Sequence, residues 1–393
     1  MLTRGTAEIA CQWRWTLNRP FVAVLAVLAT LACAGAICGQ QRSVKIGFVG
    51  PLTGDQASIG LDELQAVHLA VDEANRKGDV IPGCRLEVVA LDDQHTPAQA
   101  VAMAKRLAAD RAVIAVIGHV NSSCTLAAAP VYQRARLVQI SPSSTNPEIS
   151  RKGFDTFFRT CATDDIQGPQ AAEFAIRKLG ARKVCVIDDK TTYGKEIADR
   201  FEVRAKELGA SVLLHESIVQ GEKDFSPLLT RIKALGPDLI FFGGMYPEGA
   251  LLVRQAKGLG LKAKWLGPDG LYVPAFIDLA KDAAEGVCCT FVGADVSGVD
   301  SAREFLNAYT KKYGTIGPFA PHAYDAARIV IDAVRRAGKV DRKAVLEEVR
   351  RTNDFPGVLG RMGFDGNGDT TLRLISVFEV RNGRFRYLGP ARQ

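Results

Sequence analysis

Hydroxyl side chains gather in two short loops, Gly118-His119-Val120-Asn121-Ser122-Ser123 and Ser141-Pro142-Ser143-Ser144-Thr145-Asn146-Pro147. Each follows a short apolar run, Val113 to Ile117 and Val138 to Ile140, of the kind that forms a buried parallel strand. The first loop leads into a stretch of helical character, Cys124 to Arg134. In an open α/β sheet, ligands collect outside the carboxyl ends of the strands. A helix N-terminus there favours an anion, because its orphan amides and its dipole both attract negative charge. Ser122, Ser143, Ser144 and Thr145 are therefore candidate contacts for a small carboxylate. Each loop also has a plainer reading, Ser122 as a helix N-cap and Ser143 to Thr145 as a turn.

The groups that catalysis would need do not assemble. The five histidines (His68, His95, His119, His215, His322) fall at no HxxxH or HExxH spacing, so the chain offers no zinc-hydrolase motif. No GxSxG elbow and no phosphate-binding GxxxxGK[ST] loop occurs. Asp365-Gly366-Asn367-Gly368-Asp369 imitates the start of a calcium loop, but its sixth position is Thr370 and its twelfth Ser376, where that loop needs Gly and Glu. A β-turn is expected there. Asp92-Asp93 and Asp188-Asp189 each end an apolar run; neighbours on a strand point to opposite faces, so neither doublet is a facing acid pair, and helix capping is the expected role. The chain reads as a binding protein rather than an enzyme, with neither metal nor cofactor.

The elements that would position the loops follow from apolar spacing. Strands are expected at 45–49, 86–91, 113–117, 138–140, 184–187, 212–214 and 239–242. Between them, helical periodicity covers 60–75, 98–109, 167–179, 194–208, 226–235 and 248–259. Strand–helix alternation at this spacing predicts parallel sheets with helices on both faces. About eleven strand candidates are too many for one comfortable sheet, so two α/β lobes are expected. No Pro/Gly/Ser-rich linker divides them, which suggests several crossings; the polar stretch Arg159 to Asp165 is the first candidate.

With 393 residues, 47% of them hydrophobic, the chain has ample material for two cores. Arg4, Arg14 and Arg19 precede an uncharged run from Phe21 to Cys38 that ends in small residues, the order of an export signal over residues 1–39. A retained membrane anchor is the alternative, although the run sits at the lower length limit for a span and is diluted by alanine. Lipidation at Cys33 or Cys38 is a third, to which the preceding residues are poorly suited. The formal charge of +7 is not gathered into a basic, aromatic-interleaved patch, so nucleic acid is not an expected partner. Six cysteines remain beyond the signal, at no metal-binding spacing; export permits disulfides, and the sequence does not choose among pairings.

Several segments, in order, carry a more specific likeness: Ile46-Gly47-Phe48-Val49-Gly50-Pro51-Leu52-Thr53-Gly54, the two hydroxyl loops, Gln167-Gly168-Pro169, Asp189-Lys190-Thr191-Thr192-Tyr193-Gly194, Gly221 to Ser226, Phe242-Gly243-Gly244-Met245-Tyr246-Pro247-Glu248 and Gly267-Pro268-Asp269-Gly270. From about residue 44 onward the chain resembles the leucine/isoleucine/valine-binding proteins of ABC importers. The resemblance implies a type I periplasmic binding fold: α/β, two doubly wound parallel-sheet lobes joined by three hinge crossings, here near 161–165, 290–294 and 370–374. Lobe one would comprise 42–163 and 293–371, lobe two 164–292 and 372–393. It also implies a monomer in the periplasm that holds an amino acid and delivers it to a membrane permease. Carried over by position, Ser122 would hold the ligand carboxylate, Thr145 would assist, the Ser143 carbonyl and Asp269 would take the ammonium, and Ser144 belongs to the same loop. Tyr193 would close over the ligand, and Ile59, Met245 and Phe319 would line its side-chain pocket.

The sequence departs from the family pattern in places. Leucine-type members have an aromatic residue where this chain has Ile59, tyrosine at Met245 and glutamate at Asp269. The family disulfide would join positions that here read His95 and Asn121, so that bridge is absent. Ligands other than branched-chain amino acids, including aromatic carboxylates, and service as an extracellular sensor domain are the alternatives.

Overall fold

The computed structural model describes residues 42–78 and 80–392; the export signal expected over 1–39 lies outside the described residues. The apolar runs form strands β1 (Arg42–Gly50), β2 (Cys84–Asp92), β3 (Val113–Gly118), β4 (Val138–Ser141), β5 (Phe157–Arg159), β6 (Lys183–Asp188), β7 (Ser211–Ser217), β8 (Leu239–Gly243), β9 (Lys264–Gly267), β10 (Cys288–Phe291), β11 (Phe355–Pro356), β12 (Arg361–Met362), β13 (Ser376–Arg381) and β14 (Arg384–Pro390). Five make one sheet in the order β2-β1-β3-β4-β5, and seven make another in the order β14-β13-β10-β9-β8-β6-β7. Val-Ile-Ala-Val-Ile-Gly of β3 is buried at every residue, as a parallel strand covered on both faces must be. The edge pair β13 and β14 is an antiparallel hairpin on the otherwise parallel second sheet.

Helices over Ala57–Arg76, Pro97–Ala109, Ser122–Ala135, Thr192–Glu207, Ser226–Leu235 and Tyr246–Gly258 occupy the expected connections. One differs: the helix expected at 167–179 starts earlier, at Asp164. Thr163 is extended just before it, and Asp164 and Asp165 place negative charge in the first turn, where the helix dipole favours it. It then passes into a wider turn at Phe174–Lys178.

Each sheet has its own core. Ile46, Phe48, Ile117, Val138 and Ile140 of the first sheet pack with the helix Ala320–Ala337, while Val184, Val186, Ile240, Phe242 and Leu266 anchor the second. The chain leaves the first sheet after β5, builds the second through β10, returns for the helices between Arg303 and Arg350, and ends in the second sheet with β13 and β14. Three crossings therefore join two α/β lobes.

This topology determines where a ligand can sit. In the first sheet β1 pairs with β3 and in the second β6 pairs with both β7 and β8, so each sheet reverses its winding at one point. At such a switch the loops after neighbouring strands diverge and leave a crevice. The backbones there are close. Gly118, at φ +123°, ends β3 so near β1 that a Cβ would meet the Val49 carbonyl oxygen at 2.1 Å.

Candidate functional site

The loops at the two switch points face each other across a narrow cavity with room for water centres over about 30 Å³. One water needs about 10–15 Å³, so the closed cavity has room for about two or three waters and excludes a macromolecule. A larger groove of about 800 Å³ opens on the outside of the first lobe, but its wall mixes exposed charges such as Arg76, Glu304, Arg335 and Asp354 and converges on nothing. The cavity is the candidate site because its polar groups converge.

Seven of the expected residues line it: Ile59, Ser122, Ser143, Tyr193, Met245, Asp269 and Phe319. Their elements explain their convergence. Ile59 follows β1 and Ser122 follows β3, flanking the first switch point, while Tyr193 follows β6 and Met245 follows β8, flanking the second. Ser143 and Asp269 follow the adjoining strands β4 and β9.

Ser144 and Thr145 are not on the cavity wall; both are fully buried behind it. The Ser144 hydroxyl is engaged with the loop itself, bonding the His119 and Val120 carbonyls at 3.0 Å each and Thr125 Oγ1 at 2.7 Å. The Ser144 hydroxyl thus lies behind the cavity wall, in place of the ligand-facing position expected for it. The Thr145 carbonyl accepts from Asp164 N at 3.0 Å, and its side chain lies against the Asp164 carboxyl. The doublets also differ from expectation: Asp92 and Asp93 do not cap a helix. Asp92 accepts from Leu52 N and Thr53 Oγ1, and Asp93 meets His119 Nδ1 at 2.6 Å. Thr191, not Asp188 or Asp189, caps the helix beginning at Thr192, accepting from Gly194 N. Strand-end carboxylates here tie neighbouring loops together. The Asp365–Asp369 segment is a turn as expected, with the Asn367 and Asp369 amides bonded to Asp365 Oδ1.

The first-lobe side of the cavity is built to meet negative charge. Asn121 is the N-cap of the helix Ser122–Ala135 without a side-chain cap, and the first internal bond runs from Thr125 N to Asn121 O. The amides ahead of Thr125 lack helical partners and point out of the helix end. The Ser122 hydroxyl accepts from Asn146 N at 3.3 Å, which joins the two hydroxyl loops.

The opposite side is built to meet positive charge. Tyr193 donates its hydroxyl to Asp269 Oδ1 at 3.0 Å and accepts from Gly270 N at 3.0 Å, so the phenol is held from both sides. Burial pushes the Asp269 carboxyl up to about 6, with the Gln167 and Tyr193 side chains working against the rise. Burial, followed by the neighbouring Asp269 charge, holds Asp164 well above the ordinary carboxylate range, with the Thr145 side chain and the Arg159 charge working against the rise. On the first-lobe side, Glu63, behind Ser143 and accepting its hydroxyl at 2.6 Å, is likewise raised by desolvation. Buried carboxylates that lack cations of their own favour a cationic ligand group. The packing is tight: a Cβ on Gly270 would lie 3.1 Å from both Met245 Sδ and the Tyr193 hydroxyl.

One buried cation supports the first-lobe wall from behind. Arg159, with no exposed surface, donates to Asp369 Oδ1 at 2.6 Å, to the Ser144 carbonyl at 2.6 Å, to the Asn146 carbonyl at 3.0 Å and to Ser150 Oγ at 2.9 Å. It fastens the second hydroxyl loop to the Asp365–Asp369 turn. Across the cleft, Asn146 Nδ2 donates to the Thr192 carbonyl at 2.6 Å and Ser58 Oγ to the Tyr246 hydroxyl at 3.0 Å, while Tyr246 reaches the Asp55 carbonyl. The lobes are closed on one another.

His95, Asn121, Thr191, Gln220 and Gly270 also line the wall, with Val120 and Ser123, without having been singled out as ligand contacts in the sequence. The strand-end rule could have found the first five, since each lies three residues past a strand: His95 past β2, Asn121 past β3, Thr191 past β6, Gln220 past β7 and Gly270 past β9. The six described cysteines, Cys84, Cys124, Cys161, Cys185, Cys288 and Cys289, are free and buried.

The profile of the periplasmic binding proteins matches residues 43–384. A leucine-, isoleucine-, valine-, threonine- and alanine-binding protein of Pseudomonas aeruginosa is 34% identical over 359 residues, 90% of this chain and 95% of its own. Among solved structures, a leucine-binding protein of Thermotoga maritima superposes with a TM-score of 0.81 at 32% identity, over 88% of this chain and 98% of its own. A branched-chain amino acid transporter substrate-binding protein of Streptococcus pneumoniae, solved with isoleucine, gives 0.82 at 31% identity, over 89% and 100%.

Proposed function

We propose, because this chain belongs to the periplasmic binding protein family, that it is the solute-binding component of an ABC importer and holds a small L-amino acid of the branched-chain type between its lobes. It is not an enzyme. The observation that carries this reading is the polarity of one small cavity: open helix-end amides and Ser122 on the first lobe, and the Asp269–Tyr193 pair on the second. A zwitterion removed from water needs both of its charges paired and hydrogen-bonded, and these two walls supply the partners. Ser122 and the amides beside it would take the carboxylate. Asp269 and the Ser143 carbonyl would take the ammonium, with Thr145 supporting from behind. Tyr193 orients Asp269, and Ile59, Met245 and Phe319 form the apolar wall. The chemistry of the relatives supports the same class, since the Pseudomonas aeruginosa protein is named for branched-chain and small amino acids and the Streptococcus pneumoniae protein was solved with isoleucine.

The lobes are read as 42–163 with 293–371, and 164–292 with 372–393, hinged at the three crossings. Contacts from both lobes imply that the cleft opens to admit ligand and closes on it. The reading further includes export to the periplasm, a monomeric state and delivery to a membrane permease; among the described residues no helix is long and apolar enough to cross a membrane.

Thermal-shift measurements over the amino acids and a set of small carboxylates test the proposal. A ligand at about a hundred times its Kd stabilises by roughly 2.7 kcal/mol, an easily read shift. Leucine, isoleucine or valine should give that shift, and calorimetry should confirm one site. Stabilisation by aromatic carboxylates alone, with no α-amino acid active, would replace the reading with the carboxylate alternative.

A further inference from the structure

Two polar atoms in the cavity wall have nothing to bond to. His95 Nδ1 and Asn121 Oδ1 are buried and without a protein partner, and both residues line the cavity. Their other ends are occupied. His95 Nε2 lies 3.3 Å from Asp55 Oδ1, and Asn121 Nδ2 donates to Gln56 Oε1 at 2.8 Å. In a neutral imidazole whose Nε2–H faces a carboxylate, Nδ1 is the acceptor. The bond to Gln56 fixes the Asn121 amide in the same sense, with its carbonyl oxygen free. The cavity wall therefore holds two buried polar atoms that no protein group meets.

Their place in the cavity is set by their partners. Asp55 and Gln56 immediately precede the helix that carries Ile59, and Asn121 adjoins Val120, also on the wall. The acceptors thus border the apolar surface assigned above to the ligand side chain, not the Asp269–Tyr193 pair. A buried acceptor left unpaired costs far more than a made hydrogen bond gains. A site with such groups distinguishes a ligand that carries a matching donor from an isostere that lacks it.

We infer that His95 and Asn121 form a side-chain subsite selecting amino acids whose side chain ends in a hydrogen-bond donor, a hydroxyl or a primary amide, on a short apolar stem. The inference rests on the proposed α-amino-acid function and extends its ligand class from branched aliphatic side chains to those with a polar end. The near-isosteric pairs threonine against valine and asparagine against leucine exchange a donor-bearing polar end for an apolar one at almost constant shape. A purely apolar pocket favours valine and leucine, because it strips water from the polar end and returns nothing.

The test is calorimetry of the full mature chain with these four amino acids, then with the His95→Leu/Asn121→Leu double variant. Threonine is expected to bind at least as tightly as valine if the subsite reads a hydroxyl, and asparagine at least as tightly as leucine if it reads an amide. In the double variant that preference should fall by tenfold or more. The inference is overturned if valine and leucine are both the tighter partners of the wild type, or if the preference is unchanged in the variant. The wild-type ratios require no variant, so a misfolded double mutant leaves the test standing. Failure of all four amino acids to bind would instead overturn the amino-acid reading, and the subsite with it.

Discussion

Asp269→Asn should make the empty protein more stable and a poorer binder, two effects of opposite sign from one atom exchange. Asp269 is 3% exposed, and burial raises its carboxyl from 3.8 to about 6. At 1.36 kcal/mol per unit, that shift corresponds to about 3 kcal/mol spent on holding the ionised form at pH 7. A group whose folded value lies above its unfolded one favours the folded state most at pH below 3.8, and that contribution is lost as pH rises through about 6. The amide carries no such charge, and its oxygen can still accept from Tyr193, which now donates at 3.0 Å. The ligand-free variant should therefore be more stable than wild type by up to about 3 kcal/mol at pH 7, or about 4 °C for a chain of this size, with the difference closing towards pH 4. Binding should move the other way. An ammonium left without its buried counter-charge costs roughly 3–5 kcal/mol, a Kd increase of about 10² to 10³ or more. Thermal melts without ligand at pH 7 and pH 4, with calorimetry at pH 7, read both effects. A variant that is less stable than wild type at pH 7, or that binds an amino acid with near-normal affinity, would refute the assignment of Asp269 as a strained counter-charge.

The same carboxyl makes ligand binding pH-dependent: as pH falls through about 6, Asp269 protonates, and calorimetric affinity should drop by up to tenfold per unit while staying flat above. A flat profile down to pH 5 would place the ammonium on another group. Met245→Tyr should narrow a wall whose sulfur already lies within 3.1 Å of a Gly270 Cβ position, penalising phenylalanine relative to valine by tenfold or more through overpacking. An unchanged ligand ranking would mean that Met245 does not touch the side chain. Arg159→Met should orphan the Ser144 and Asn146 carbonyls and part the loop from Asp369, lowering stability by roughly 3–5 kcal/mol in urea unfolding. A loss below about 1 kcal/mol would show that the loop is held without it.

The chemistry of this protein was legible in the sequence wherever it depends on neighbours along the chain. Apolar runs such as Val113 to Ile117 lie in strands because a continuous β-branched stretch suits a sheet covered on both faces. The hydroxyl loops could be placed at strand ends for the same local reason, and Ser122 and Ser143 duly reach the cavity. What the residues pair with was not legible. Asp92 and Asp93 have the composition of helix caps, yet their oxygens go to Thr53 and His119, brought alongside by the first sheet. Ser144 differs from Ser143 by one position in a loop, but only the folded loop turns its hydroxyl inwards to the His119 and Val120 carbonyls. Arg159 and Asp369 are 210 residues apart, and no period or motif announces that one fastens the other. Desolvation is the extreme case. A carboxyl's type is written in the chain, but the rise of Asp269 to about 6 and the upward shift of Asp164 exist only because the fold removes water from around them. Local periodicity sets the backbone. Long-range packing decides which charges are left for a ligand to satisfy.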